Sequence, residues 1–219
     1  MTTPASRTLT RSLLRCGLAA GPVFAAVFLA EGAAREDYRP LRHPVSSLAL
    51  GSRGWVQAGN FAVTGALVLA GAAGLARAAD PEAGGRVAAG LAGAAGAGLI
   101  GAGAFATDPV SGYPPGTPDA IGQPSRTGTI HNLCGIPIFL GLPAAALIQG
   151  WRSWRRGRHG FGLYGAGTAV VMLAAMALAG AGFGQSPRLV RLGGLFQRVA
   201  IITGFGWLTA VSSRALRRG

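Results

Sequence analysis

The chain has 219 residues, half of them hydrophobic and only 12% charged, whereas a soluble domain carries about 25% charged residues. Its formal net charge is +13, and all 20 basic residues are arginine. In a soluble protein that balance points to nucleic acid, but these arginines fall mainly between long apolar runs and leave no basic, aromatic-rich segment to hold a strand. No nucleic-acid partner is therefore expected, and the arginines are read as orientation signals and as contacts to anionic lipid headgroups of the bilayer.

A membrane span needs about 20 apolar residues. Six stretches qualify, at about 14–30, 56–76, 87–106, 130–149, 161–183 and 192–211. They predict an all-α, polytopic membrane helix bundle, one domain over residues 1–219 with six transmembrane helices. Mean hydropathy is only +0.40, because 37 glycines and many alanines stand in for leucine and isoleucine. The first stretch follows Arg7, Arg11 and Arg15 and precedes Gly32, Ala33 and Ala34, which is also the pattern of a cleaved signal; its near-full span length favours a retained helix. In the third stretch, Gly90, Ala94, Gly98 and Ala102 recur every four residues. They are expected to form one face on which another helix packs closely.

With the N-terminus inside, twelve arginines fall in the inner segments and seven in the outer ones, which predicts both termini in the cytoplasm (N-in, C-in). Contrary to that trend, the first outer segment holds Arg35, Arg39, Arg42 and Arg53. Trp55, Trp151 and Trp154 sit at span ends, where tryptophan anchors a helix at the interface. Cys16 and Cys134 fall at opposite faces in this arrangement, too far apart for a disulfide. The alanine- and glycine-rich, lysine-free composition suggests a high-GC bacterial genome, and so a plasma-membrane protein.

Two outer connections, about 31–55 and 107–129, are longer than a turn requires, and loops of that length commonly carry function. The first contains Arg42-His43-Pro44-Val45-Ser46-Ser47 and continues to Phe61 as RHPVSSLALGSRGWVQAGNF. Later come Phe105-Ala106-Thr107-Asp108-Pro109 and Gly128-Thr129-Ile130-His131. In these motifs, which occur in order at span ends, the chain resembles domain-of-unknown-function family 998, within a wider group of DRAM-like and Frag-like six-span membrane proteins. The resemblance runs from the first span to the sixth and departs at Ala106, where the family pattern has proline. It implies six spans and no agreed activity.

Among individual residues, Asp108 and His131 end one span and begin the next, on the same side. Side by side, the carboxylate would fix the imidazole tautomer and raise its basicity, preparing a general base. The structural alternative is a helix start capped by Thr129, with His131 bonded to a loop carbonyl. Ser46 or Ser47 is either a nucleophile beside His43 or His131 or the cap of a short interfacial helix beginning at Ser46. No Gly-x-Ser-x-Gly elbow surrounds them. Arg198, next to Gln197, lies about two turns inside the last span, where a cation costs at least about 2.5 kcal/mol. Either it pairs with Asp108 or Asp37, or it holds an anionic headgroup in bidentate fashion. Gly54-Trp55-Val56-Gln57 and Gly194-Leu195-Phe196-Gln197 echo one another at the starts of the second and sixth spans, a likeness short enough to be coincidence. His43, His131 and His159 lack metal-ligand spacing, and no metal or cofactor is expected.

The leading expectation is a non-enzymatic membrane protein with an outer-facing polar pocket, drawn from Asp108, His131, Arg198, Gln197, His43 and Ser46, that takes a lipid headgroup or small ligand. The alternatives are a lipid-modifying enzyme with His131 as base, Asp108 orienting it and Ser46 as a further catalytic candidate, and a small-solute transporter. A shortage of mid-membrane polar residues and broken helices weakens the last.

Overall fold

The computed structural model describes residues 3–78, 85–120 and 122–218. Among these described residues, six helices are long and apolar enough to cross a membrane: α1 Pro4–Ala33, α2 Gly54–Ala78, α3 Gly85–Ala104, α4 Arg126–Arg155, α5 His159–Phe183 and α6 Gly193–Leu216. The chain is thus a multi-pass, all-α membrane protein. Each helix packs on its neighbours in sequence and α6 returns to α1, so the bundle closes as a ring. Six antiparallel passes leave both termini at one end, here called the terminal end. The long connections 34–53 and 105–125 lie at the other, the loop end.

Two helices outrun their apolar cores because polar residues at their N-termini supply caps. Helix α1 begins at Pro4, where the Thr3 side chain accepts from the Ser6 N–H at 3.3 Å, so Arg7, Arg11 and Arg15 are helical. Helix α4 begins at Arg126, capped by Ser125, whose Oγ accepts from the Gly128 N–H at 3.0 Å. Thr129 is therefore not the cap, and its hydroxyl donates to the Ser125 carbonyl instead.

Glycine sets the closest crossings. A Cβ on Gly71 would fall 2.5 Å from the Cα of Gly17, and one on Gly65 would fall 2.6 Å from the carbonyl oxygen of Gly96. The expected stripe on α3 does not act as one face. Gly98 and Ala102 are buried, but Gly90 and Ala94 are exposed. At 3.6 residues per turn, a four-residue step drifts by about 40°, so the stripe rotates away from any single neighbour; α3 also lies between α2 and α4 and needs two packing faces. Trp55, Trp151 and Trp154 are exposed at 75%, 64% and 43%, as interfacial anchors would be.

Helix α4 is irregular. A π-helical turn spans Pro137–Gly141. Pro137 and Pro143 have no N–H to give to Leu133 and Phe139, which loosens the helix there. The helix also changes partners at this turn: its terminal-end half packs on both α3 and α5, whereas its loop-end half packs mainly on α3.

Candidate functional site at the loop end

The N-terminus of α6 has no side-chain cap, and a helix start leaves N–H groups without intrahelical partners. The first loop supplies the acceptors. Leu41 and Arg42 carbonyls accept from the N–H groups of Leu195 and Gly194 at 2.9 and 3.1 Å. One turn on, the buried Arg198 donates from Nη1 to the carbonyls of Pro40, His43 (3.1 Å) and Gly194 (3.0 Å), and from Nη2 to the Tyr38 hydroxyl. Its guanidinium also lies over the rings of Phe28 and Tyr38, 5.7 and 5.5 Å from their centroids. The expected pairing with Asp108 or Asp37 does not occur. Backbone carbonyls of the 39–43 turn take the carboxylate's place, because that turn folds directly onto the helix start. Gly194 permits the approach: a Cβ there would fall 2.4 Å from the His43 carbonyl oxygen.

His43 belongs to the same knot. Its Nδ1 accepts from the Arg39 N–H at 2.9 Å, and its ring packs on Tyr38 and Tyr113 with centroids at 5.5 and 5.1 Å. Burial, with Arg42, Arg39 and Arg198 nearby, lowers its pKa to about 4. His43 is thus a neutral packing group. Three of the four arginines that ran against the orientation trend are engaged here as well: Arg35 and Arg53 both pair with the buried Glu31, at 3.3 and 2.5 Å, and Arg42 pairs with Asp119 at 2.5 Å.

Asp108 and His131 do not meet as a hydrogen-bonded pair. The Asp108 carboxylate accepts from the Ser125 N–H at 3.0 Å and lies over Gly128, where a Cβ would overlap it. It therefore serves the positive end of α4. His131, 8% exposed, places Nδ1 3.0 Å from the Ala102 carbonyl oxygen and 2.9 Å from that of Phe105. Two carbonyls can only accept, so Nδ1 carries a proton and donates to both. His131 thus fastens the end of α3 to the second turn of α4.

His131 also lines a cavity of about 350 Å³. Its walls are chiefly apolar, among them Phe24, Phe61, Leu99, Ile138, Met176 and Phe205; its polar lining comes from Ser46, Thr107, His131, Asn132 and Gln197. Ser46 does not cap a helix. The short 3-10 turn starts at Val45, whose N–H is held by Gln197 Oε1 at 2.8 Å, so Ser46 is its second residue. Ser47 is fully buried, with no partner for its hydroxyl. Ser46, His131 and Gln197 share this cavity, whereas Asp108, His43 and Arg198 do not line it. Asn132, Ile136 and Leu140 line the cavity and are also exposed on the outside of α4, and Met176 and Phe183 of α5 stand on its other side. The cavity thus reaches the bundle surface where the loop-end half of α4 leaves α5.

With this geometry in view, the comparison with known families is specific. Residues 18–214 match the family described as Protein of unknown function (DUF998). The chain belongs to the DUF998 family. No curated protein and no solved structure matches it.

In this DUF998 chain, several residues that organise the loop end escaped the sequence reading. Glu31, Arg35, Tyr38 and Tyr113 form a connected set, with Arg35 donating to the Leu50 and Leu48 carbonyls at 2.9 and 2.8 Å and to the Tyr113 hydroxyl at 3.1 Å. The available signal was a lone acidic residue at the end of an apolar run with arginine four positions later. The Gly54/Gly194 echo has a structural counterpart: a Cβ on Gly54 would fall 2.2 Å from the Ala49 carbonyl oxygen, so both glycines lie under first-loop carbonyls. Among the described residues, no group of three or more His, Cys, Asp or Glu could hold a metal ion.

Proposed function

We propose that this DUF998 protein is a binding protein of the plasma membrane that admits a lipid or similar amphiphile sideways, between the loop-end halves of α4 and α5. The apolar part would occupy the cavity, and a neutral hydrogen-bonding group would face His131, Ser46 and Gln197. The observation that carries this reading is the cavity itself, apolar over most of its wall, with a few polar groups on one side and exposed residues of α4 along its edge. Ligand sites of about 300–1,000 Å³ with such a lining are the common form. Because no arginine lines it, a neutral polar group suits it better than an anionic headgroup. The arginine distribution supports placing both termini in the cytoplasm, and reporter fusions in the connections test that orientation. Native mass spectrometry of the protein purified in mild detergent tests the binding: a defined lipid adduct on the wild type should be depleted in His131→Phe.

One observation favours a second reading, a membrane enzyme. Nδ1 of His131 is fixed by two carbonyls, as in a positioned general base, and Ser46 lies on the same cavity. Asp108 is engaged at a helix start and does not orient the imidazole, so binding without chemistry is the better-supported function. A transporter would need a polar path to the midplane. Between the loop-end cavity and the terminal end lie Ala92, Ala95, Leu142, Ala145 and Met172, each at most 2% exposed, which supports a closed midplane.

A further inference from the structure

A second cavity, of about 540 Å³, opens at the terminal end, separate from the site above. Eight arginines line it, contributed by α1, α2, α4, the α4–α5 connection and the end of α6, including Arg77, Arg152, Arg158, Arg214 and Arg218. No aspartate or glutamate is among the described residues that line it. Like charges gathered around one space repel one another, and burial with its neighbours Arg218, Arg214 and Arg156 lowers the pKa of Arg158. Orientation signals need only lie on the correct side of the membrane; they need not converge on a cavity.

The unmet hydrogen bonds are specific in kind. Nη1 of Arg152, Nε of Arg158 and Nε1 of Trp207 are all buried without a partner, and all three residues line this cavity. Trp207 is only 1% exposed. Each of these atoms is a donor, so the missing partner is an acceptor. A buried donor without one carries a desolvation cost of about 1–3 kcal/mol, which a ligand that supplies acceptors would relieve. Guanidinium groups match phosphate oxygens in paired fashion. Deeper in the cavity the lining turns apolar, with Leu14, Leu75 and Val211.

We propose that the terminal-end cavity is a binding site for a phosphate-bearing anion, with Arg152, Arg158 and Trp207 as its donors. The phosphate belongs either to a lipid headgroup or to a soluble phosphorylated compound.

Full-length protein provides the test, in two arms. In the soluble arm, inorganic pyrophosphate is titrated into protein in neutral detergent and followed by calorimetry. In the lipid arm, native mass spectrometry compares protein from nanodiscs of pure phosphatidylcholine with protein from nanodiscs containing phosphatidylglycerol. Saturable binding in either arm, weakened at least tenfold in Arg152→Gln/Arg158→Gln and by raising salt from 50 to about 300 mM, supports the site and identifies the source of the phosphate. Should the double variant unfold, Trp207→Phe keeps an aromatic ring, removes one donor and should still weaken binding severalfold. Absence of saturable binding to wild type in both arms, or unchanged binding in a folded variant, overturns the proposal. A lipid held at the loop end is unaffected by these substitutions, so failure of one site leaves the other standing.

Discussion

His131 shares its Nδ1 proton between the Phe105 carbonyl at 2.9 Å and the Ala102 carbonyl at 3.0 Å. Through this one side chain the end of α3, the second turn of α4 and the wall of the loop-end cavity become a single unit. His131→Phe fills similar space but leaves both carbonyls without this donor. We expect destabilisation of about 1–2 kcal/mol, read as a lower Tm, together with depletion of the bound amphiphile. A folded variant with full lipid content would remove His131 from the site.

Arg198 and Gly194 tie the first loop to α6. Arg198→Met removes the donors to Pro40, Tyr38 and His43 and should destabilise the protein by about 3 kcal/mol. Gly194→Ala forces a methyl group against the Pro40 and His43 carbonyls and should cost about 1–3 kcal/mol. In both variants limited proteolysis is expected to cut within 34–53 faster than in wild type. Equal cutting rates would show that the loop is held by other means.

Asp108→Ala separates capping from chemistry. Loss of the carboxylate at the start of α4 should lower stability by about 1 kcal/mol and leave lipid content unchanged, because Asp108 does not line the cavity. A lipid loss matching that of His131→Phe would revive the paired site.

The six spans were legible because the bilayer demands apolar length, and composition records length directly. Of the polar partners, the loop carbonyl that His131 meets was anticipated as the structural alternative; the partners of Asp108 and Arg198 were not legible. Asp108 and His131 stand at the ends of consecutive spans, which suggested a pair, but α4 starts four residues before Ile130, and the early start brings the N–H of its cap residue Ser125 to the carboxylate. Arg198 invited a search for an acidic partner, yet its acceptors are backbone carbonyls, which every residue type carries and no pattern of side chains reveals. The π-turn was equally hidden: Pro137 and Pro143 sit in an apolar run, and only packing shows that α4 exchanges neighbours there.

His43 gives the loop knot a pH dependence. Its pKa in the fold is about 4, against 6.5 when free, so between those values the unfolded chain binds a proton that the native chain does not. Stability is fully present above about pH 6.5 and falls as pH drops toward 4, by at most about 1.4 kcal/mol per pH unit. His43→Asn should flatten the fall in Tm between pH 6.5 and 4.5. A slope identical to wild type would assign it to other groups.

The loop-end cavity can be filled without disturbing its walls. A Cβ on Gly135 would meet only the Phe139 ring, at 3.8 Å, and leucine is a better helix former than glycine by roughly 0.8 kcal/mol. Native mass spectrometry of Gly135→Leu beside wild type, both extracted from the same membranes, is the most direct measurement. We expect an unchanged or higher Tm and loss of most of the bound amphiphile from the variant. A Gly135→Leu protein that carries the same lipid in the same amount would contradict a ligand in this cavity.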